Sequence, residues 1–307
     1  MPSSRWKKRL FHWLTRGGMM TEPRLLRQRV ENQVIMQIQR CENGVRAQLA
    51  VDQQHAFFFD HPHDHIPGLL LLEGAHQIAL QLLPGEKAWF ATGLQARFTK
   101  YCLFDGPIQL DASMKLQAGK WCSEVTVSQH QVPRATICWQ FVELPPGLLR
   151  QPPGVSSCEA VDKSRVNKRR VENVMIAQPY PLPQGGLECH ALAPHRDNLL
   201  ADSDGQTHPL VLLETFMQLQ RFLNDMESAR LRDVLLGVSM SQSLPLQAGS
   251  TFSMRTDMKE EKETGKYFSR GADLWAAGRC FARCDIHTLR SLRVKEKSLQ
   301  LKKGSEV

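Results

Sequence analysis

The sequence lacks the features of a membrane, secreted or zinc-binding protein. It has no apolar run of 18 residues, so it predicts no transmembrane helix. Its first residues lack the apolar core and cleavage site of a secretory signal. None of the eight cysteines forms a C-x-x-C pair, and Cys280 and Cys284 have no second pair with which to bind zinc. We therefore expect a cytoplasmic protein with reduced thiols and no metal.

Nucleic-acid binding is poorly supported, although the net charge is +8. Residues 1–29 carry eight Lys/Arg and one acid, and residues 290–307 carry six and two, so the remainder of the chain is close to −3. A basic charge confined to the two ends is weak evidence for a nucleic-acid fold. Residues 4–16 could form a basic amphipathic helix on a membrane surface. A solvent-exposed tail without membrane contact is the preferred interpretation.

The chain contains an internal repeat. Arg29-Val-Glu-Asn recurs as Arg170-Val-Glu-Asn, a shift of 141 residues, and the same shift carries Glu73 onto Glu214 and Gln77 onto Gln218. A constant offset over about fifty residues indicates a duplicated domain. The predicted organisation is a basic tail (1–28), a first domain (29–144), a Pro-rich and polar linker (145–169), a second domain (170–289) and a second basic tail (290–307).

Each half predicts one apolar helix followed by antiparallel strands, an α+β arrangement. The predicted helices cover 69–83, stopped by Pro84-Gly85, and 209–224. The predicted strands are near 33–39, 45–52, 89–100, 107–117, 121–129 and 134–143, then near 234–241, 250–257, 265–271 and 275–287. We expect a sheet wrapped around each helix and two such units packed as a pseudo-dimer.

A histidine-rich turn precedes the first helix. His61, His63 and His65 lie between Asp60 and Pro67, and the helix that follows is apolar on almost every side. A helix of that kind belongs in a core. Desolvation would raise the pKa of an unpaired carboxyl in such a helix, and shifted acids are candidates for proton transfer. Glu73 is therefore a candidate catalytic residue.

The segment Phe59-Asp-His-Pro-His-Asp-His-Ile-Pro-Gly-Leu-Leu-Leu-Leu-Glu-Gly-Ala-His-Gln77 resembles the signature of the A-factor biosynthesis (AfsA) family of hotdog-fold proteins. Members of that family carry two tandem hotdog units, so the resemblance implies a double hotdog over about residues 29–288. It also implies transfer of a β-ketoacyl group from acyl carrier protein to a small hydroxyl acceptor such as dihydroxyacetone phosphate, in the synthesis of γ-butyrolactone signals. The Pro-Gly-x-Leu-x-x-Glu portion is similar to hotdog dehydratases, which pair a histidine with an acid on the other unit's helix.

The chain departs from the family pattern at two points. The arginine that the family places before the terminal glutamine is His76 in the first half and Met217 in the second. Residues 202–210 have lost the histidine-rich motif that residues 61–69 retain. The cation that would hold a phosphate or an oxyanion is therefore missing from its expected position.

If the halves pair like a hotdog dimer, each turn faces the helix of the other half. The first-half turn would then face Glu214 and Gln218, and the second-half turn would face Glu73 and Gln77. Only the first combination supplies both a histidine and a helix carboxylate, so we expect one competent site and one degenerate site.

Acyl transfer would divide the work among these residues. An imidazole near its reference pKa of about 6.5 can deprotonate the acceptor hydroxyl. Free N–H groups at Gly68 and Leu69 can bind the thioester oxyanion. The candidate catalytic residues are His61, His65, Glu73 and Glu214. The candidate substrate-binding residues are Asp60, Asp64, Gly68, Leu69, His76, Gln77, Gln218 and Arg97. No cofactor is expected beyond the acyl-phosphopantetheine thioester substrate.

Several alternatives stay open. The histidines could be ordinary turn residues, and the two glutamates could be structural. The alternation of His61, His63 and His65 suggests a metal site, but Pro62 and the turn argue against a regular extended face. In function, the alternatives are a hotdog dehydratase or thioesterase and a non-catalytic protein that binds acyl thioesters. The partners would be acyl carrier protein or acyl-CoA, docked on basic linker residues such as Lys163, Arg165 and Arg169.

Overall fold

In the computed structural model the described residues are 27–85, 87–149, 158–183, 185–203, 205–227, 231–256 and 267–292, with side chains omitted at 231–233 and 290–292. The predicted membrane-surface segment 4–16 lies outside them. The first half contains β1 (Ile35–Cys41), β2 (Gly44–Leu49), α1 (Gly68–Leu80), β3 (Trp89–Phe98), β4 (Ile108–Gln117), β5 (Lys120–Gln129) and β6 (Val132–Glu143). The second contains β7 (Tyr180–Pro181), β8 (Leu187–Ala191), α2 (Pro209–Glu227), β9 (Leu231–Gln242), β10 (Phe252–Thr256), β11 (Tyr267–Ala276) and β12 (Arg279–Leu292).

The strands form one antiparallel sheet in the order β1-β2-β4-β5-β6-β3-β9-β12-β11-β10-β8-β7. Read outwards from its centre, each half has the same order of strands. The two halves join where β3 pairs with β9, from Gly93 opposite Ser241 to Arg97 opposite Gly237. The sheet therefore has the pseudo-two-fold symmetry that the 141-residue repeat predicts, and the expected α+β double hotdog is confirmed.

Both helices lie in the core. All ten residues from Leu70 to Ala79 are buried, as the apolar composition of α1 predicts. Helix α1 ends at Leu80, and a turn fills the interval before Pro84. Helix α2 extends to Glu227, three residues beyond its predicted end. The short strands β7 and β8 were not predicted, because five residues or fewer carry little periodicity.

The segments just upstream of each repeat pack into the fold. Val161 and Val166 are buried, and the 3₁₀ turn Lys163–Val166 separates them. Residues 160–169, predicted as linker, are therefore integrated with the second half, because their apolar side chains cover α2. Arg27, predicted to belong to the tail, is also buried. A second pair of 3₁₀ turns, Val30–Asn32 and Val171–Asn173, again differs by 141 positions.

Among the described residues no helix combines the length and the apolar character needed to cross a bilayer. All eight cysteines are free thiols.

Candidate functional site

Glu73 and Glu214 are fully buried at equivalent positions of α1 and α2. The sequence predicted a raised pKa for an unpaired carboxyl at such a position. The structure corrects that expectation, because each carboxylate is paired with a cation. Burial opposes ionisation, but Arg27 and His208 hold the pKa of Glu73 below its usual range. Lys168 and Arg221 likewise outweigh burial and lower the pKa of Glu214.

The Glu73 cluster comprises Arg27, Glu73, His76, Gln77 and His208. Arg27 donates from Nε and Nη2 to Oε1 of Glu73 at 2.9 and 2.5 Å, and Gln77 Nε2 donates to the same oxygen at 2.6 Å. Nε2 of His208 lies 3.1 Å from Oε2 of Glu73. Both carboxylate oxygens are therefore in contact with protein groups.

His208 joins the two halves of the molecule at this cluster. It precedes Pro209, the first residue of α2, and its Nδ1 accepts a hydrogen bond from the N–H of Leu210. That bond assigns the proton of the neutral ring to Nε2, which faces Glu73. The expectation that only the first-half turn pairs a histidine with a helix carboxylate is therefore wrong. The capping geometry directs His208 inward.

The imidazoles of the Glu73 cluster are held neutral. Burial, the neighbouring His208 and Arg27 lower the pKa of His76 well below its ordinary value. Burial and Arg27 also lower the pKa of His208, against the opposing charge of Glu73. A pocket of about 150 Å³, with Arg27, His76, His208 and Trp89 among its lining residues, adjoins the cluster.

Among the described residues, Glu73, His76 and His208 form a group with metal-ligand spacing, their ligand atoms lying within 4.8 Å of one another. Arg27 contacts all three side chains: it binds Glu73, lies 3.5 Å from His76 Nδ1 and touches His208 Nε2. The guanidinium therefore already supplies a positive charge at the position that a bound cation would take.

The Glu214 cluster comprises His61, His63, Lys168, Glu214, Gln218 and Arg221. Lys168 Nζ lies 2.7 Å from Oε1 of Glu214, and Gln218 Nε2 donates to that oxygen at 2.8 Å. Oε2 of Glu214 is buried and has no hydrogen-bond partner among the described residues. The same is true of His61 Nδ1, His63 Nε2 and Arg221 Nη1. Buried polar atoms are rarely left unpaired, so four in one cluster require an explanation.

The first-half histidines are within electrostatic reach of Glu214. Burial and the positive neighbours His63, Arg221 and Lys168 lower the pKa of His61 to about 3, although Glu214 opposes them. Burial and similar neighbours lower the pKa of His63 to about 4. The predicted pKa near 6.5 is therefore corrected: the ring is neutral, and it is a weak base while the cluster holds no anion.

Three of the predicted substrate-binding residues are occupied by structural contacts. Gln77 accepts from the N–H of Val34 and donates to the carbonyl oxygen of Asn32, and Gln218 makes the same two bonds with Met175 and Asn173. Each amide also binds the helix glutamate four residues before it. Their assignment to substrate is corrected, because no polar atom is left to bind one.

Asp60 has a structural counterpart at Asp202. Asp60 accepts hydrogen bonds from the N–H groups of Arg169 and Arg170, and Asp202 accepts from those of Gln28 and Arg29. Each carboxylate therefore anchors its turn to the segment that carries the cation of one cluster. The structure gives Asp60 this anchoring role instead of substrate contact.

His65 and Asp64 lie apart from Glu214. They pair with each other at 2.5 Å, and the His65 ring packs 4.1 Å from that of Tyr101. Asp64 is largely exposed. Arg97 is exposed as well, on the face of β3 opposite to buried Ala96, because successive side chains of a strand alternate.

Gly68 and Leu69 begin α1 at the junction of the halves. A Cβ at Gly68 would lie 3.4 Å from Leu235 of β9 and 3.6 Å from Phe98 of β3. The carbonyl oxygen of Pro67 accepts the N–H groups of Leu70 at 3.0 Å and Leu71 at 3.3 Å. The first two N–H groups of the helix precede these and have no intrahelical acceptor.

Sequence reasoning missed the cations of both clusters. Arg27 and Lys168 differ by the same 141 positions as the two glutamates, so the repeat extended two residues upstream would have paired them. Arg27 also supplies the positive charge that the sequence appeared to lack beside His76. His208 was harder to recognise, because it corresponds to Pro67 in the first half.

Comparison with known proteins identifies the first half. Residues 23–142 match the A-factor biosynthesis hotdog domain. The 2-oxo-3-(phosphooxy)propyl 3-oxoalkanoate synthase of Streptomyces virginiae is 36% identical over 90 residues, covering 29% of this chain and 30% of that protein. Its namesake from Streptomyces coelicolor is 36% identical over 83 residues, covering 27% and 26%. The matches thus span less than a third of each relative, and they confirm the resemblance seen in the histidine-rich motif.

Solved structures match nearly the whole chain at low identity. The dehydratase domain from the CurJ module of Curacin polyketide synthase superposes with a TM-score of 0.56 at 13% identity, covering 85% of this chain and 98% of that domain. An acyl-CoA thioesterase II, TesB2, from Mycobacterium marinum gives 0.54 at 13%, covering 83% and 96%. These likenesses establish the double hotdog fold.

Proposed function

We propose that this protein is an acyltransferase of the A-factor synthase type, and that the Glu214 cluster is its active site. It would move a β-ketoacyl group from an acyl carrier protein thioester to the hydroxyl of a small acceptor such as dihydroxyacetone phosphate. The observation that carries the proposal is the pair of buried, unpartnered atoms His61 Nδ1 and Glu214 Oε2, which come from opposite halves. The names of the relatives, which describe esters of 3-oxoalkanoates, support this chemistry.

His61 would act as the general base. Its neutral ring can accept the proton of the acceptor hydroxyl at Nδ1 as the oxygen attacks the thioester carbon. The tetrahedral intermediate then expels the thiolate of phosphopantetheine, which takes a proton from the imidazolium. The ionised Glu214, held by Lys168 and Gln218, would stabilise the imidazolium between these two steps.

The oxyanion would bind at the start of α1. The N–H groups of Gly68 and Leu69 precede the first N–H that the helix itself uses, and they carry the positive end of the helix dipole. This arrangement needs no charged side chain. Gly68 also lacks a Cβ, which lets a thioester approach the backbone closely.

The Glu73 cluster is less suited to base catalysis. Nδ1 of His208 accepts a backbone hydrogen bond, and Nε2 faces Glu73, so neither nitrogen is free to take a proton from substrate. Arg27, Gln77 and His208 together engage both oxygens of Glu73. We infer that this cluster chiefly stabilises the fold, which would make it the degenerate member of the pair.

A second candidate is dehydration or hydrolysis of an acyl thioester. It is favoured by the same pairing of a histidine from one half with an acid on the helix of the other, which needs no second substrate. A third candidate is binding of an acyl thioester without turnover. Donor docking would use exposed cations of the segment before the second half, such as Arg169 and Arg170. We place the enzyme in the cytoplasm.

The test is to incubate the protein with β-ketoacyl carrier protein, with and without dihydroxyacetone phosphate, and to identify products by mass spectrometry. Ester formed only with acceptor supports transfer. Acid released without acceptor supports hydrolysis, alkene from a β-hydroxyacyl substrate supports dehydration, and binding alone supports the non-catalytic reading.

The active-site assignment is tested by His61→Ala and Glu214→Gln. Loss of a general base costs about 10²–10⁴-fold in rate, so His61→Ala should lower kcat by that factor. His195→Ala, which removes an exposed imidazole, is the matched control. Unfolding midpoints should be compared first, since Glu214 is buried. If both variants fold and keep full activity, the Glu214 cluster is not the active site.

A further inference from the structure

Two groups in the Glu214 cluster have no role in the transfer step described above. Arg221 Nη1 and His63 Nε2 are buried and have no hydrogen-bond partner among the described residues. Nitrogen atoms of these two side chains can donate hydrogen bonds, and a guanidinium is always charged. A buried cationic donor without a partner is costly, which indicates that something else binds there.

Arg221 shares a face of α2 with the catalytic carboxylate. It follows Glu214 by seven residues, two helical turns, so the two side chains project to the same side about 10.5 Å apart along the axis. Its charge acts on Glu214 and on both histidines of the cluster. Arg221 therefore lies beside the position at which the acceptor would react.

The repeat shows that the fold does not need this arginine. A shift of 141 residues places Leu80 at the equivalent position of α1. The cations that pair with the helix glutamates, in contrast, occur in both halves, as Arg27 and Lys168. The positive charge at position 221 thus belongs to the open cluster alone.

The charges of the cluster leave Arg221 unbalanced. Lys168 and Glu214 neutralise each other at 2.7 Å, and the two imidazoles are neutral. One positive charge remains, with a donor of the planar geometry that suits phosphate oxygens. An anion with several acceptor oxygens would satisfy Arg221 and His63 together.

We propose that Arg221 and His63 form a binding subsite for a phosphate group at the end of the transfer site. The subsite rests on the proposed function for its place in the reaction. The phosphate could belong to the acceptor or to the phosphopantetheine arm of the donor, and the chemistry of recognition is the same. The relatives' names include a phosphooxy group, which the acceptor would bring.

Phosphate binding would also activate the base. The positive charges of Arg221 and Lys168, together with burial and His63, keep the pKa of His61 low, and Glu214 alone opposes them. A bound dianion would offset those charges and raise the pKa of His61 toward its ordinary range. An acceptor that carries phosphate would therefore react faster as well as bind more tightly.

The kinetic test compares Arg221→Met with the unaltered protein on two pairs of substrates. Dihydroxyacetone phosphate against dihydroxyacetone isolates the acceptor phosphate, and an acyl-phosphopantetheine thioester against the N-acetylcysteamine thioester isolates the donor phosphate. A charged hydrogen bond corresponds to about 10- to 100-fold, so Arg221→Met should reduce the preference for phosphate by that factor in one pair. The pair affected identifies the source. Arg40→Met, an exposed cation on β1, is the control.

A binding measurement keeps this proposal separate from the proposed function. Inorganic phosphate should shift the ¹⁵N resonances of His61 and His63 in the unaltered protein, with proton uptake, and should leave them unchanged in Arg221→Met. That result would support the subsite even if no acyl transfer were found. Unchanged resonances in the unaltered protein, or equal phosphate preference in both proteins, would overturn it.

Discussion

Removal of Arg27 should destabilise the protein far more than removal of an ordinary surface cation. Its side chain is 5% exposed and Glu73 is fully buried. Arg27→Met would leave an ionised carboxylate in the core with only Gln77 and His208 as partners. Loss of one member of a buried ion pair costs about 3–5 kcal/mol. At about 2–4 °C per kcal/mol for a chain of this size, the unfolding midpoint should fall by roughly 6–20 °C.

Thermal unfolding followed by circular dichroism measures this effect, and Arg46→Met provides the control. Arg46 also pairs with a carboxylate, Asp111, at 2.6 Å, but the two side chains are 51% and 37% exposed. An exposed pair contributes about 0–1 kcal/mol, so this variant should unfold within about 4 °C of the unaltered protein.

A second substitution separates charge from packing. Glu73→Gln in the Arg27→Met background removes the unpaired charge and keeps an amide oxygen as acceptor for Gln77 or His208. At least half of the lost stability should return. If Arg27→Met unfolds no earlier than Arg46→Met, or if the double variant is no more stable than Arg27→Met, the ion network does not stabilise the fold as described.

Two further predictions concern stability. The folded protein lowers the pKa of His76 and His208, so only the unfolded chain takes up their protons, and stability should decline as pH falls below about 6.5, by at most about 1.4 kcal/mol per pH unit for each imidazole. His208→Asn should reduce that slope by one proton in urea titrations, and an unchanged slope would count against the neutral assignment. A Cβ at Gly44 would lie 2.0 Å from the carbonyl oxygen of Ala112, which backbone pairing holds in place, so Gly44→Ala should cost about 1–3 kcal/mol. Gly93→Ala, which meets the movable side chain of Gln140, should cost less than half as much in the same denaturation assay.

The fold was largely predictable because its strongest signals are long-range and repeated. The helix containing Glu73 was placed within three residues at either end, since an all-apolar helix bounded by Pro67 and Pro84 has few alternatives. The 141-residue shift then predicted the second half. Strands β7 and β8 escaped detection, because their pairing depends on the sheet edge that tertiary structure provides.

The site was predicted only in part. Sequence spacing identified Glu73 and Glu214 and the turn that approaches the opposite helix. It could not show that Gln77 and Gln218 spend every polar atom on the backbone, since that depends on the 3₁₀ turns packed against them. Nor could it show that His208 points inward, because a residue before a helix proline is usually read as a cap alone.

The β3–β9 seam makes the two clusters free to differ. In a symmetric homodimer every substitution appears at both sites, so the site that binds substrate and the site that holds the fold cannot separate. Here the seam is formed within one chain, and Leu80 can stand opposite Arg221, and Pro67 opposite His208, without affecting each other. Each chain should consequently turn over one acyl group at a time. The neighbouring half acts as a permanent brace.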